Sequence, residues 1–302
     1  MFNRLKQIKD LAGWVTLLFS GSSLASVANN RQNLRLEELA KWKKRIEVAA
    51  DTLQPWWRDI LPRVGETSIE EYPGHPHDWV VSKDGSDPVP LRSTYAGWTP
   101  RLKWEFLEES IVDPYECGDD DPRWNPLQSP TYLQQSQLHC ARCLKWQSDD
   151  PKLNLCNCFP HLFSSEGRYP PPVQIFRTQD GRGNGVLALT RLVPGYGIGE
   201  MVGVITKIEQ GPDVFEFKRT RAECQILHRD KGNFTHFVNH SCKPNASFKE
   251  FTWLNRQYVL LVTNDFIQMD EEILVDYGDG YWEGVDEQCL CGESCCRFKG
   301  WK

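Results

Sequence analysis

The chain has 302 residues, 40% of them hydrophobic and 25% charged, which is enough to bury a core as one large domain or two modest ones and excludes a disordered chain. Lys+Arg 35 against Asp+Glu 41 leaves a formal net charge of -6. That balance argues against nucleic-acid binding through a broad basic face, since counterion release from phosphates needs one, and fits a basic partner such as a Lys-rich peptide.

At the start, Arg4, Lys6 and Lys9 precede an apolar stretch from Leu11 to Phe19, and Ser26-Val27-Ala28 has the small-residue form of a leader cleavage site. Gly13, Thr16 and the Ser20-Gly21-Ser22-Ser23 run dilute that stretch, which is too short and polar to span a bilayer. Residues 1–30 are therefore expected to form a helix or tail; no membrane partner is expected and secretion is disfavoured. From Arg31 to Trp57 the residues Leu36, Leu39, Ile46, Ala50, Leu53 and Trp57 recur at helical spacing with Lys and Glu between, predicting an amphipathic helix that ends near Pro55. Residues 62–135 are dense in Pro, Gly and Trp and predict irregular structure with short helices. Nine of the 12 tryptophans precede residue 150, so the front half is expected to have aromatic packing of its own. The acidic run from Glu108 to Asp121 reads as a solvated face.

The 11 cysteines are odd in number and closely spaced, which suits metal ligation in a reducing compartment better than a disulfide framework. Cys140-x2-Cys143 followed by Cys156-x-Cys158 supplies four sulfurs, open to two readings: a structural zinc or free buried thiols. Cys289-x-Cys291-x4-Cys296 supplies three, so a tetrahedral zinc there must recruit a fourth ligand from elsewhere.

Beyond Pro170-Pro171-Pro172, the candidate boundary, the texture changes to short β-type runs at Val173–Arg177, Val186–Thr190, Met201–Ile208, Tyr258–Thr263 and Ile273–Tyr277. No helices alternate with them, so a doubly wound parallel sheet is not expected. Gly181-Arg182-Gly183-Asn184-Gly185 lacks the following helix that a dinucleotide fingerprint requires, and reads instead as a glycine-rich bend between strands that admits a ligand close to the backbone. Further on, Asn239-His240-Ser241-Cys242 packs an amide, an imidazole, a hydroxyl and a thiol into consecutive positions. Some thirty residues later comes Asp270-Glu271-Glu272-Ile273-Leu274-Val275-Asp276-Tyr277-Gly278, an acidic turn running into a strand that ends at a tyrosine. Asn233-Phe234-Thr235 and Asn245-Ala246-Ser247 match the glycosylation pattern, but both fall in this core, where a glycan would be ruinous.

The ordered set of glycine bend, Asn239-His240-Ser241-Cys242-x-Pro244-Asn245, Asp276-Tyr277-Gly278 and the late cysteines resembles the SET-domain protein lysine methyltransferases with a post-SET zinc segment, from about Val173 to Phe298. The resemblance implies an α+β, β-rich SET fold of short strands with a pseudoknot-like C-terminal segment. It divides the chain into a tail at 1–30, a largely helical or irregular Trp-rich region at 31–168, a SET domain at 169–280 and a post-SET segment at 281–302. It implies transfer of methyl from S-adenosylmethionine to lysine on a protein tail, a histone being the model substrate, in the nucleus or also the cytoplasm. Tyr277 would be the catalytic residue; Gly183, Asn184, Asn239, His240 and Tyr277 would meet the cofactor. Cys242 would complete a structural zinc with Cys289, Cys291 and Cys296, and Leu290 with Phe298 or Trp301 would cover the adenine. Cys295 is the spare thiol.

The chain departs from the family pattern at three places: Met201 stands where a lysine-channel Tyr is usual, Val275 where a Phe or Tyr sets methyl number, and Asn184 where the bend usually has an aromatic. A smaller residue at 275 is expected to leave room for several methyl groups while removing an aromatic wall. Met201, Val204 and Val275 keep a second reading open, a catalytically weakened SET module that binds a peptide or partner. The front half resembles no family by itself, and its five cysteines are too few for a nine-cysteine pre-SET cluster.

Overall fold

A computed structural model describes residues 2–19, 36–67, 72–95, 104–118, 121–124, 138–163, 170–207, 214–217, 224–283 and 285–299. Two helices open the fold, α1 (Phe2–Phe19), broken at Gly13 with φ 76, and α2 (Leu36–Leu53). Val15 of the first and Ala50 of the second share a buried cluster with Trp57 and Leu61 of the chain that follows. Residue 55 is a proline with no N–H to continue the α-helical ladder, so the chain passes into a 3-10 run at Pro55–Val64. Gly65, at φ 78, closes it by donating its N–H to the carbonyls of Leu61 and Pro62. The amphipathic helix expected to end near Pro55 stops at Leu53, and residues 31–35 lie outside the described residues.

Fifteen short strands follow among the described residues: β1 (Trp79–Val80), β2 (Val89–Pro90), β3 (Glu105–Phe106), β4 (Ile111–Val112), β5 (Val173–Arg177), β6 (Asn184–Ala188), β7 (Gly197–Glu200), β8 (Val204–Thr206), β9 (Val214–Glu216), β10 (Gln225–Leu227), β11 (Lys231–Gly232), β12 (Asn239–His240), β13 (Ala246–Trp253), β14 (Arg256–Thr263) and β15 (Leu274–Val275). They form small sheets in the orders β1-β2, β5-β6, β13-β14-β7, β4-β8-β10-β9, β11-β3 and β12-β15. The β13–β14 hairpin turns through Leu254 and Asn255, both at positive φ, the pairing that matches the twist of the flanking strands. A single cluster containing Val173, Ile175, Val186, Ile198, Phe234, Phe237, Leu261, Ile273 and Val275 fills the centre.

The step that builds the site is the parallel pairing of β12 with β15, Asn239 opposite Leu274 and His240 opposite Val275. Between them the chain leaves along β13, returns along β14, and is tucked back beside its own earlier segment, the knot-like crossing expected from the resemblance. Asn245 stitches the crossing: its Oδ1 accepts from the Leu274 N–H at 2.8 Å and its Nδ2 donates to the Glu272 carbonyl at 2.8 Å. The Ser241 N–H donates to the Val275 carbonyl at 2.8 Å.

The Pro170–Pro172 segment does not divide the hydrogen bonding. β3 pairs parallel with β11, and β4 pairs parallel with β8, so chain well ahead of the prolines completes sheets made by chain after them. The tryptophans of the front half do not share one cluster either. Trp57 belongs to the helical pair, Trp104 inserts into the central core against Phe237, and Trp56 and Trp124 are exposed. Among the described residues no helix is long and apolar enough to cross a membrane.

Candidate active site and cysteine clusters

The glycine bend joins β5 to β6, whose register runs from Val173 opposite Ala188 to Arg177 opposite Asn184. The Thr178 N–H and hydroxyl both donate to the Gly183 carbonyl, at 2.9 and 2.8 Å. Gly181 and Gly183 hold φ 90 and 88, and a Cβ added to either would meet nothing within 4 Å, so the backbone there is open to a ligand. Asn184 is buried; its Oδ1 accepts from Arg177 at 3.3 Å and its Nδ2 donates to the Thr94 hydroxyl at 2.9 Å. The side chain at the position where an aromatic is usual is thus engaged with the helical region.

Asn239 lies directly behind the bend. Its Nδ2 donates to the Asn184 carbonyl and to Glu272 Oε1, both at 3.0 Å. His240 is buried and points the other way. Its Nδ1 accepts from the Tyr277 N–H at 3.1 Å, which assigns the ring proton of the neutral imidazole to Nε2, 3.3 Å from Cys242 Sγ. Burial holds its pKa below the usual histidine value, reinforced by Arg297 and opposed by Asp276. The ring is flanked by Tyr277, Trp282 and Phe298 at centroid distances of 5.4, 4.9 and 5.8 Å.

Tyr277 stands just beyond β15, where its hydroxyl donates to the Val238 carbonyl at 2.8 Å. Tyr277 also lies in the wall of a cavity of about 780 Å³, with Met201, Val238, Phe248, Asp276 and Tyr281. Tyr281 is edge-on to Tyr277 at 4.7 Å. Met201 therefore does line the space where a channel Tyr was looked for. Val275 does not: at 1% exposure it packs in the central core, while Phe248 and Tyr281 supply aromatic walls. The expectation that Val275 widens the channel and strips its aromatic wall is corrected accordingly.

The late cysteines converge as the resemblance implied. Cys242, Cys289, Cys291 and Cys296 bring their sulfurs within 4.8 Å of one another, and Cys140, Cys143, Cys156 and Cys158 do the same in the front half. A tetrahedral Zn–S₄ centre with bonds of about 2.3 Å needs S···S edges of about 3.8 Å, and the Cys143–Cys156 separation is 3.6 Å. Backbone N–H groups of Arg142, Cys291 and Arg297 point at Cys140, Cys289 and Cys242 sulfurs at 3.4, 3.4 and 3.3 Å, as thiolates require. Burial pushes the Cys143 and Cys291 thiols up, but hydrogen bonds from neighbouring N–H groups and thiols outweigh it and bring each down to about 7. Burial and the neighbouring sulfurs push Cys156 up to about 11. Both donor sets fit zinc. Cys295 is exposed and outside the set.

Of the residues expected over the adenine, Leu290 is exposed at 51%, whereas Phe298 is buried and stacked on Trp282 at 5.0 Å. Trp301 lies outside the described residues. Arg297 ties the cysteine-bound tail to the tyrosine strand by ion pairs to Asp276 and Asp279 at 2.5 and 3.3 Å. Sequence reading passed over Arg182, Glu272, Asn245 and Tyr281, although each lies in or beside a quoted motif.

A bend with open backbone, an amide behind it, a phenol held at a cavity wall and two four-cysteine clusters define a SET-type site. The SET domain family model matches residues 104–278, more than half the chain, and the protein belongs to that family. A SET domain-containing protein of Phaeosphaeria nodorum is 49% identical over 97% of this chain and 49% of its own length. Histone-lysine N-methyltransferase Set2 of Drosophila melanogaster is 30% identical over 43% of the chain and 6% of its own length. The crystal structure of KRYPTONITE in complex with mCHH DNA, H3(1-15) peptide and SAH aligns with a TM-score of 0.47 and 20% identity, covering 66% of this chain and 48% of that one. The chain thus spans at most about half the length of these relatives.

Proposed function

We propose that this protein is an S-adenosylmethionine-dependent protein-lysine N-methyltransferase that acts on a Lys-rich tail, a histone foremost, in the nucleus, with both cysteine clusters holding structural zinc. One observation carries the reading. The β12–β15 pair sets Asn239 against an open glycine bend on one side, and Tyr277, just beyond it, in the wall of a cavity. Cofactor and amine would then approach one strand pair from opposite sides, the arrangement an in-line transfer needs.

When bound, S-adenosylmethionine supplies an electrophilic methyl group on a sulfonium. Gly183 and Asn184 would meet it with backbone, Asn239 with its amide oxygen, and the tail carrying Leu290 would close over it. His240 supports the site from beneath: it fixes the Tyr277 backbone and donates toward Cys242, so cofactor site and zinc share one imidazole. The phenolic oxygen of Tyr277, its own proton held by Val238, can accept weak C–H···O contacts and one N–H of the amine, which aims the amine lone pair. An ordinary lysine has a pKa of about 10.4, and the aromatic cavity lowers it by desolvation so that the amine enters neutral. Asp276 and Glu216 at the cavity attract a cationic tail, in keeping with the net charge of -6.

Met201 in the cavity wall favours the second reading, a module that binds the tail without methylating it, because a thioether cannot orient an amine by hydrogen bonding as a tyrosine does. Incubating the zinc-loaded full chain with labelled cofactor and mixed core histones separates the two. Transfer that Tyr277→Phe reduces at least about 100-fold, with cofactor affinity kept within a few-fold, supports the enzyme reading. Histone binding without transfer establishes the module reading instead.

A further inference from the structure

We infer that Glu272 is a positioning residue of the cofactor site, fixing both the glycine bend and the outward face of Asn239; this rests on the methyltransferase reading above. Its carboxylate is largely buried and accepts a two-pronged ion pair from Arg182, Nη1 to Oε1 at 3.1 Å and Nη2 to Oε2 at 2.8 Å. Arg182 belongs to the bend itself, where its Nε also donates to Asp180 at 2.8 Å. The same Oε1 accepts from Asn239 Nδ2 at 3.0 Å.

The consequence is a matter of which end of an amide faces outward. A carboxylate and a backbone carbonyl are acceptors only, so Glu272 and Asn184 together hold the Asn239 NH₂ inward, and the amide oxygen is the end left for a ligand. An acceptor there suits a cationic ammonium group. If Glu272 were a donor, the amide could rotate and present NH₂ to that ammonium, a repulsive match. Gly185 at the end of the bend is packed beside this contact: a Cβ there would come within 2.6 Å of Phe176 Cε1, 2.7 Å of Glu272 Oε1 and 3.0 Å of Asn239 Nδ2, so a side chain would push these groups apart. The turn that presents Glu272 is anchored independently, since Asp270, at φ 70, ion-pairs with Arg45 of α2, and its carbonyl accepts from Lys83 at 3.2 Å.

Calorimetric titration of the zinc-loaded full chain with S-adenosylhomocysteine tests the inference, alongside KM for S-adenosylmethionine and for a histone peptide. Glu272→Gln is expected to weaken S-adenosylhomocysteine binding at least about 10-fold and to raise the cofactor KM in proportion, with the peptide KM within twofold. Arg182→Met, which reaches the same carboxylate from the bend, is expected to do likewise, and the double variant to fall well short of the product of the two losses. Glu271→Gln is the neighbouring control and should leave binding within twofold. Binding within twofold of wild type in a folded Glu272→Gln protein, or in Arg182→Met should the first fail to fold, overturns the inference. A wild-type chain that binds S-adenosylhomocysteine but transfers nothing defeats the catalytic reading and leaves this one standing; a wild-type chain that binds none defeats both.

Discussion

Asn245→Ala tests the crossing that assembles the site. Asn245 accepts from the Leu274 N–H and donates to the Glu272 carbonyl, each at 2.8 Å, and among the described residues no other side chain bonds to either group. Alanine leaves one backbone donor and one backbone acceptor in a half-buried strand without partners. At about 1–3 kcal/mol for each unmet group, reduced by whatever water reaches them, the loss is about 2–4 kcal/mol. At roughly 2–4 °C per kcal/mol for a domain of this size, the apparent Tm drops by about 4–16 °C. Differential scanning calorimetry of the zinc-loaded protein reads this directly. Asn245→Asp keeps the acceptor for Leu274 but sets a carboxylate oxygen against the Glu272 carbonyl and near Glu271, so it should be no better than alanine. A Tm within 1 °C of wild type for both variants would mean that the stitch is not what holds β15 in place, and the account of site assembly would fall with it.

The remaining predictions concern metal and protons. Elemental analysis of the purified protein should find two zinc ions per chain, one for each four-cysteine set; Cys296→Ser should leave about one and Cys295→Ser two, and retention of both by Cys296→Ser would refute the ligand set. Burial and the nearby His75 bring His77 down to about 3, against a bond to the Val173 carbonyl, and burial brings His236 down to about 4, against its contact with His228. The unfolded chain takes up protons at these histidines below about pH 6.5 and the folded chain does not until about pH 4 to 3. Stability should therefore fall with falling pH across that window, by up to about 1.4 kcal/mol per pH unit per histidine. Urea midpoints at pH 7 and 5 should show the fall, and His77→Gln should lessen it; equal slopes in the two proteins would count against burial of a neutral His77.

The parts of the site that the sequence disclosed are those where side chain and backbone act within a few residues. The glycines of the bend, the Asn239–Cys242 run and the strand ending at Tyr277 each carry their chemistry locally, and the recurring short apolar runs foretold β5, β6, β8, β14 and β15, five of the fifteen strands among the described residues. Val275 was misjudged because its direction depends on a partner: opposite His240 in a parallel pair, its side chain is turned into the core. β13 escaped notice since exposed Lys249 and partly buried Glu250 interrupt the apolar signal on a strand whose partner lies beyond the turn. The Arg182–Glu272–Asn239 contacts join three distant segments and have no local mark. Nor do β3 and β4, two-residue strands that exist only because β11 and β8 offer edges.

The parallel pair at the centre has a bearing on the order of events during synthesis. Its first strand, Asn239–His240, finds no lasting neighbour until Leu274–Val275 has been made, and that neighbour must enter beside a hairpin already formed. A nascent chain halted before Leu274 carries the open bend, the amide and the imidazole but lacks the strand that pairs with Asn239–His240. The strand pair that carries the site is therefore completed late, when the last strand is in place, however early the front half has folded.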